Sequence, residues 1–197
     1  MRARDIMSHP VITAKPGTPV KTAELLLSQH GYTALPVVDD DGALVGIVSE
    51  EDFVADRFPQ EPRKPARTVG EVMTSPAAAV DVNAGARQLA RMMVERHMRS
   101  VPVTDRGRLA GIVTRHDFLR VLARPDQVLA RDVEQRLAVF GGPERWVVDV
   151  RDGEATIIDR YDSPKDREVA VILAEGVPGI VRARSYAGEI ERQEEQA

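Results

Sequence analysis

The same pattern of apolar and turn-forming positions occurs twice in the first 124 residues. The paired positions are Met7 with Met73, Pro10 with Pro76, Pro36 with Pro102, Gly46 with Gly111, and Asp52 with Asp117. The offset is 66 residues at the first pair and 65 at the last, because a turn of the second copy is one residue shorter. A unit of this length that occurs twice predicts two supersecondary units that bury each other's apolar faces, with a ligand cleft between them.

Apolar spacing within each copy predicts the order strand, helix, β-hairpin, helix. The elements predicted for the first copy are a strand at 11–13, a helix with the apolar stripe Val20, Ala23, Leu26 and Leu27, strands at 35–38 and 43–48, and a turn at 39–42. The turn has the sequence Asp-Asp-Asp-Gly, which is too short for an EF-hand calcium loop and is ordinary turn chemistry.

The pattern changes after Pro125 and predicts a third, smaller unit. Its expected elements are a helix at 129–140, strands at 145–151 and 155–161 joined by Asp152-Gly153, a helix at 164–173 and a strand at 180–186. The predicted domains are therefore 1–60, 68–124 and 125–188, with a charged, proline-rich linker at 61–67 and a frayed end at 189–197. The fold class is α/β (α+β).

Charge is distributed unevenly, although the whole chain carries a formal charge of −4. Lys and Arg number 8 against 10 Asp and Glu in residues 1–67, 9 against 5 in residues 68–124, and 10 against 16 in residues 125–197. The basic second copy favours an anionic ligand as much as it favours an ordinary solvated surface. The acidic third part predicts binding neither to nucleic acid nor to anionic membranes.

Several classes of protein are excluded by what the sequence lacks. There is no cysteine, which excludes disulfides, thiol nucleophiles and cysteine-ligated zinc. No apolar run approaches the roughly 20 residues that span a bilayer, and no signal-peptide core follows Met1, so a cytoplasmic protein is predicted. The four histidines lack metal-site spacing, and no nucleophile or phosphate-loop motif occurs. We therefore predict no catalytic residue, no metal site and no enzymatic activity.

The candidate chemistry lies in two heptads, Gly46-Ile47-Val48-Ser49-Glu50-Glu51-Asp52 and Gly111-Ile112-Val113-Thr114-Arg115-His116-Asp117. Each joins a buried strand to a helix through Ser or Thr followed three residues later by Asp. A capping box explains these hydroxyl and carboxyl residues without any ligand. It does not explain the glycines, which mark the close approach of a backbone or a ligand. Free amides at a helix start suit a phosphate, and a nearby carboxylate suits the hydroxyls of a ribose.

These repeats resemble two cystathionine-β-synthase (CBS) domains that form a Bateman module, through Leu35-Pro36-Val37 with Gly46–Asp52 and Val101-Pro102-Val103 with Gly111–Asp117. The resemblance covers residues 1–124 and implies a site for an adenosine-containing ligand. Asp52 and Asp117 would then bind ribose, and Ser49 and Thr114 with their neighbours would bind phosphate. The residues implied to frame the base are Tyr32, Thr33, Ala34 and Pro36 in one copy, and Met98, Arg99, Ser100 and Pro102 in the other. For Tyr32 and Met98, ordinary packing is an almost equal alternative.

The third unit resembles a BON domain, an α-β-β-α-β fold, through Asp152-Gly153, Thr156-Ile157-Ile158 and Val177-Pro178-Gly179-Ile180. BON domains are proposed to bind membranes or partner proteins. Asp159 stands where a glycine is usual, which puts a function of that strand in doubt more than it does the fold. The charge of this part favours a partner protein, which is expected to dock on residues 125–188.

Two functions are compatible with these features. The first is a regulatory module that binds AMP or ATP, or alternatively S-adenosylmethionine or an NAD-type ligand, and passes the change to a partner. The second is a ligand-free dimerisation scaffold. A homodimer is predicted in either case, because Leu25, Met92 and Met93 lie in apolar runs too wide for a one-sided helix. Arg115 and His116 replace Glu50 and Glu51, so the second heptad is expected to carry the anionic ligand.

Overall fold

The computed structural model of the protein describes residues 1–61 and 64–188. Its contacts divide the chain into two compact units, residues 2–118 and, together with Met1, the residues from 119 onward. Across the described residues it contains seven α-helices and eight strands. The predicted α/β class is thereby confirmed, whereas the domain bounds 1–60, 68–124 and 125–188 stay a prediction.

The first copy is built from a strand hairpin between helices. Its elements are α1 (Ala3–Ile6), α2 (Val20–His30), β1 (Ala34–Val38), β2 (Leu44–Ser49) and α3 (Glu50–Arg57). The predicted apolar stripe of α2 packs inward, with Val20, Ala23 and Leu27 buried. The predicted strand at 11–13 is wrong, because only Ala14 forms a bridge, a parallel one to Val37.

The acidic turn joins the two strands of the hairpin in the first copy. Strand β1 pairs antiparallel with β2, with Ala34 opposite Ser49 and Val37 opposite Gly46. The Asp39 carboxylate accepts hydrogen bonds from the amides of Asp41 and Ala43 at 3.0 and 2.8 Å. These bonds satisfy turn amides and make the tetrapeptide a structural turn, as the sequence predicts.

The second copy repeats this arrangement and keeps its first strand. After a 3₁₀ turn at Val69–Glu71, its elements are β3 (Val80–Asp81), α4 (Ala86–Glu95), β4 (Ser100–Asp105), β5 (Arg108–Thr114) and α5 (Arg115–Leu122). The sheet order is β3-β4-β5, with β3 parallel to β4 and β4 antiparallel to β5. Met93 of α4 is 3% exposed, so it belongs to the core and not to the outer face that was expected for dimer contacts.

The N-terminal segment of each copy pairs with a strand of the other copy. Ser8 forms an antiparallel bridge with Ile112 of β5, and Thr74 forms the equivalent bridge with Ile47 of β2. The four backbone hydrogen bonds in these two bridges measure 2.8 to 3.1 Å. The exchange ties the two copies together at the strands that carry the heptads.

The third unit has the predicted α-β-β-α-β order. Its elements are α6 (Asp126–Gly141), β6 (Trp146–Arg151), β7 (Glu154–Asp159), α7 (Pro164–Glu175) and β8 (Arg182–Ala187). The turn residues Asp152 and Gly153 both have positive φ, 50° and 73°, as a two-residue hairpin requires. Strand β7 is central, antiparallel to β6 and parallel to β8, and the two helices cover one face around Leu137, Ile157 and Ala174.

Two sequence predictions fall at the limits of the described chain. The frayed end expected at 189–197 lies outside the described residues, as do positions 62 and 63 of the predicted linker. Next to them, the amide of Ala66 donates to both carboxylate oxygens of Asp56 at 3.1 and 3.3 Å. Within the described chain, no helix is both long and apolar enough to cross a membrane.

Candidate functional site

Both heptads form capping boxes at the starts of their helices. The amide and the hydroxyl of Ser49 each donate to Asp52 Oδ2 at 2.7 Å, and the Asp52 amide donates back to Ser49 Oγ at 3.3 Å. Thr114 and Asp117 repeat the geometry with distances of 2.7, 2.7 and 3.2 Å. The capping interpretation of these four residues is therefore confirmed. Each box orients one carboxylate at the first turn of an eight-residue helix.

The heptad glycines allow the close approach of protein backbone. A Cβ added to Gly111 would lie 2.5 Å from Met7 Sδ and 3.1 Å from the Ser8 carbonyl oxygen. A Cβ added to Gly46 would lie 2.7 Å from Met73 Sδ and 3.1 Å from the carbonyl oxygen of Thr74. Of the two causes that the sequence allowed, a backbone or a ligand, the structure shows the backbone of the other copy.

The two carboxylates differ in their surroundings. Asp117 is 3% exposed, and its Oδ1 accepts a hydrogen bond from the Ser8 hydroxyl at 3.0 Å. Asp52 is half-buried, and within the described chain no donor is hydrogen-bonded to its Oδ1. The carboxylate with an available oxygen is thus that of the first heptad.

The charged residues of the heptads also differ from the sequence expectation. Arg115 donates from Nε to the Met98 carbonyl at 3.2 Å and from Nη2 to the Met93 carbonyl at 3.1 Å. The guanidinium of Arg115 therefore caps the end of α4, and its role as a phosphate ligand stays a prediction. Glu50 forms an ion pair with Arg99 of the second copy at 3.4 Å, which offsets its negative charge. His116 is exposed.

The residues expected to frame the base lie at three kinds of position. Ala34, Pro36, Ser100 and Pro102 are buried within the strands, and the Ser100 hydroxyl pairs with that of Thr33 from the other copy at 2.8 Å. Tyr32 is 39% exposed and stacks on His30 at a centroid distance of 5.1 Å. Met98 is half-buried, and its carbonyl oxygen accepts from Arg115. The contact between Thr33 and Ser100 brings the starts of β1 and β4 together.

Sequence reasoning overlooked Ser8 and gave Arg99 only a place beside the base. A usable signal for Ser8 was present, since Ser8 and Thr74 are hydroxyl residues that directly follow the repeated methionines. For Arg99 no local pattern indicates a contact with Glu50, 49 residues away. In the described chain, no group of three or more His, Asp or Glu residues is placed to hold a metal ion.

Both copies match a known domain family. A sequence profile of the CBS domain matches residues 3–56 and again residues 69–124. The chain belongs to the CBS-domain family. Its two CBS copies form the tandem pair that the sequence predicts, whereas the BON resemblance of residues 125–188 stays a prediction.

Relatives of this CBS pair occur within enzymes and as small proteins. Inosine-5'-monophosphate dehydrogenase of Mycobacterium bovis is 33% identical over 142 residues, which cover 69% of this chain and 25% of the enzyme. The chain therefore spans about a quarter of that relative. Hypoxic response protein 1 of Mycobacterium tuberculosis is 31% identical over 132 residues, which cover 67% of this chain and 91% of that protein.

Three solved structures are similar to this chain over 60–64% of its length. CBSX2 in complex with AMP is 31% identical, with a TM-score of 0.56, and covers 60% of this chain and 94% of its own. The CBS domain pair of MJ0100, in complex with 5'-methylthioadenosine and S-adenosyl-L-methionine, is 30% identical with a TM-score of 0.55 and covers 61% and 94%. Hypoxic Response Protein I with two coordinated zinc ions is 31% identical with a TM-score of 0.55 and covers 64% and 100%.

Proposed function

We propose that this protein is a regulatory module whose CBS pair binds an adenosine-containing ligand of the AMP or ATP class. The observation that carries the proposal is the half-buried carboxylate of Asp52, which the capping box holds at the start of α3. One of its oxygens accepts from no donor among residues 1–61 and 64–188. The ligands in the CBSX2 and MJ0100 structures support an adenosine compound. S-adenosylmethionine and NAD-type ligands also contain adenosine and are the alternatives to AMP and ATP.

The chemistry of the site suits a nucleoside. Ribose presents two vicinal hydroxyls, and a carboxylate oxygen without a donor can accept from both, in bonds that the negative charge strengthens. Adjacent amides at the start of a helix favour a negatively charged group. Tyr32 lies two residues before β1 and offers an aromatic face to a purine.

We further propose that the ligand state is passed to a partner protein through residues 125–188, and that the chain has no catalytic activity. The CBS pair would act as a homodimer in the cytoplasm. Support for a protein partner comes from the acidic balance of residues 125–197, 10 Lys and Arg against 16 Asp and Glu, which disfavours anionic membranes.

A ligand-free scaffold is the second candidate. It is favoured by one observation: the capping boxes and the segments Met7-Ser8 and Met73-Thr74 account for the repeated geometry of the heptads without any ligand. In that function the repeats would serve only to dimerise the chain.

A thermal-shift panel on the full chain separates the two functions. The probes are AMP, ATP, S-adenosylmethionine and NAD, with ribose 5-phosphate as the control that lacks a base. A ligand at about 100 times its dissociation constant should stabilise the folded pair by about 2.7 kcal/mol, which is a rise of several degrees in Tm. The regulatory function predicts that rise for at least one adenosine compound. The scaffold predicts no rise for any of them.

A further inference from the structure

Asp117, the carboxylate of the second heptad, is closed off by a residue of the first copy. The Ser8 hydroxyl donates to Asp117 Oδ1 at 3.0 Å, while the backbone of Ser8 is held by two hydrogen bonds to Ile112 at 2.9 and 3.1 Å. The other oxygen, Oδ2, already accepts the amide and the hydroxyl of Thr114. Because Asp117 is also only 3% exposed, a ligand hydroxyl would have to displace Ser8 before it could reach the carboxylate.

Asp52 has the same capping box but lacks this closing contact. Thr74 occupies the position equivalent to Ser8, and its backbone makes the same two hydrogen bonds, here with Ile47 at 3.0 and 2.8 Å. The Thr74 side chain is exposed and forms no hydrogen bond with Asp52, whose Oδ1 is left without a protein donor in the described chain. The hydrogen bond from Ser8 is therefore a side-chain contact that the second site has and the first site lacks, on a matching backbone.

The placement of charge reverses the preference that the sequence suggested. Arg115, the cation of the second heptad, is held by two carbonyl oxygens at the end of α4. Arg99 comes from the second copy but reaches Glu50 of the first heptad, and its side chain is 70% exposed. An exposed guanidinium can exchange a single carboxylate contact for a phosphate more readily than one fixed by two carbonyls.

We propose that the CBS pair binds one adenosine-containing ligand per chain, at the first heptad, and that Ser8 is a positioning residue that keeps the second heptad closed. The inference rests on the proposed function, which supplies the class of ligand. Asp52 accepts the ribose hydroxyls, and Arg99 meets the phosphate from across the pair. Asp117 then serves as a structural link between the two copies.

Isothermal titration calorimetry on the full chain tests this inference, with AMP and S-adenosylmethionine titrated separately. The wild type should bind one equivalent of at least one probe. Asp52→Ala should weaken binding by at least about tenfold, whereas Asp117→Ala should leave the wild-type site in place. Ser8→Ala should open the second heptad and raise the stoichiometry toward two per chain, while the matched control Thr74→Ala should keep it at one. A purely structural defect would lower the number of sites and not raise it.

Other results would overturn the inference. Two equal sites in the wild type, or loss of binding through Asp117→Ala but not through Asp52→Ala, would show that the second heptad is open. A folded Ser8→Ala variant that still binds one equivalent would show that Ser8 closes nothing, and circular dichroism establishes the folding. If Ser8→Ala does not fold, the wild-type stoichiometry and Asp52→Ala still decide the location. A wild type that binds neither probe, with no response in the thermal-shift panel, would instead overturn the proposed function.

Discussion

Arg145 and Asp159 form a two-point ion pair inside the third unit. Arg145 Nε lies 2.8 Å from Asp159 Oδ1, and Nη2 lies 3.0 Å from Oδ2. The amides of Tyr161 and Ser163 donate to the same carboxylate at 3.1 and 2.9 Å. Arg145 also contacts Asp166 at 2.8 Å. Asp159 has no exposed surface, so every polar contact of this buried carboxylate is made with protein.

The pair predicts an acid-sensitive stability for the third unit. Hydrogen bonding to Arg145, followed by the amide bonds and against the cost of burial, lowers the pKa of Asp159 from 3.8 to about 2. Because the pKa is lower in the folded state, the stabilisation is present at neutral pH and is lost as the pH falls below about 4 toward 2. The shift corresponds to about 2 kcal/mol of unfolding free energy.

Trp146 is the only tryptophan and lies in the third unit, so its fluorescence during urea unfolding reports on that unit. The difference in unfolding free energy between wild type and Asp159→Asn should narrow by about 2 kcal/mol between pH 6 and pH 2. Asp149→Asn, a change at an exposed acid of the same sheet, is the matched control and should show little change. A wild-type advantage over Asp159→Asn that stays constant across this range would contradict the prediction.

Alanine at either heptad glycine should destabilise the CBS pair. The new Cβ would lie 2.5 Å from Met7 Sδ in Gly111→Ala and 2.7 Å from Met73 Sδ in Gly46→Ala, with a carbonyl oxygen 3.1 Å away in both. A flexible methionine can move, but the backbone oxygen cannot, so we expect a loss of roughly 1–3 kcal/mol. Thermal unfolding by circular dichroism measures it. Gly17→Ala, with nothing within 4 Å of the added Cβ, is the control. Equal Tm values for all three variants would exclude the close approach.

The same heptads show what the sequence can and cannot predict. The capping boxes were predictable because Ser49 and Asp52 lie three residues apart, so local spacing carries the geometry. The bond between Ser8 and Asp117 joins residues 109 apart, and no local pattern encodes it. Counting charges likewise treated Arg115 as available, whereas the folded chain uses its guanidinium to cap a helix.

Secondary-structure elements were likewise predictable where local sequence spacing determines them. The alternating and helical patterns predicted the hairpins and helices, because burial of one face imposes those periods. The strand expected at 11–13 is wrong, since the backbone pairs with β1 only at Ala14, one residue beyond that range. In the third unit, the unusual Asp159 looked like a departure from the family pattern, yet it is the buried partner of Arg145.

Fewer of the residues from which the homodimer was predicted are exposed and so able to form a dimer contact. Leu25 is 54% exposed on α2 and remains available, whereas Met93 is buried. Light scattering at micromolar concentration should give twice the chain mass of 21.7 kDa. Leu25→Glu should shift the population toward the monomer, because it places a charge in an apolar contact. A monomeric wild type would contradict this prediction.

The chain should not bind anionic membranes. The excess of acidic residues after position 124 repels a negatively charged surface at physiological salt. In co-sedimentation with phosphatidylserine-containing vesicles, the full chain is expected to remain in the supernatant. Its appearance in the pellet with these vesicles, but not with phosphatidylcholine vesicles, would show that the charge argument is wrong.

The most direct test of nucleotide binding by the CBS pair is a crystal structure of the full chain grown with AMP. We expect one nucleotide per chain, with its ribose hydroxyls on Asp52 Oδ1, its phosphate beside Arg99, and the hydrogen bond from Ser8 to Asp117 intact. A nucleotide whose ribose lies on Asp117, with Ser8 displaced, would contradict this placement.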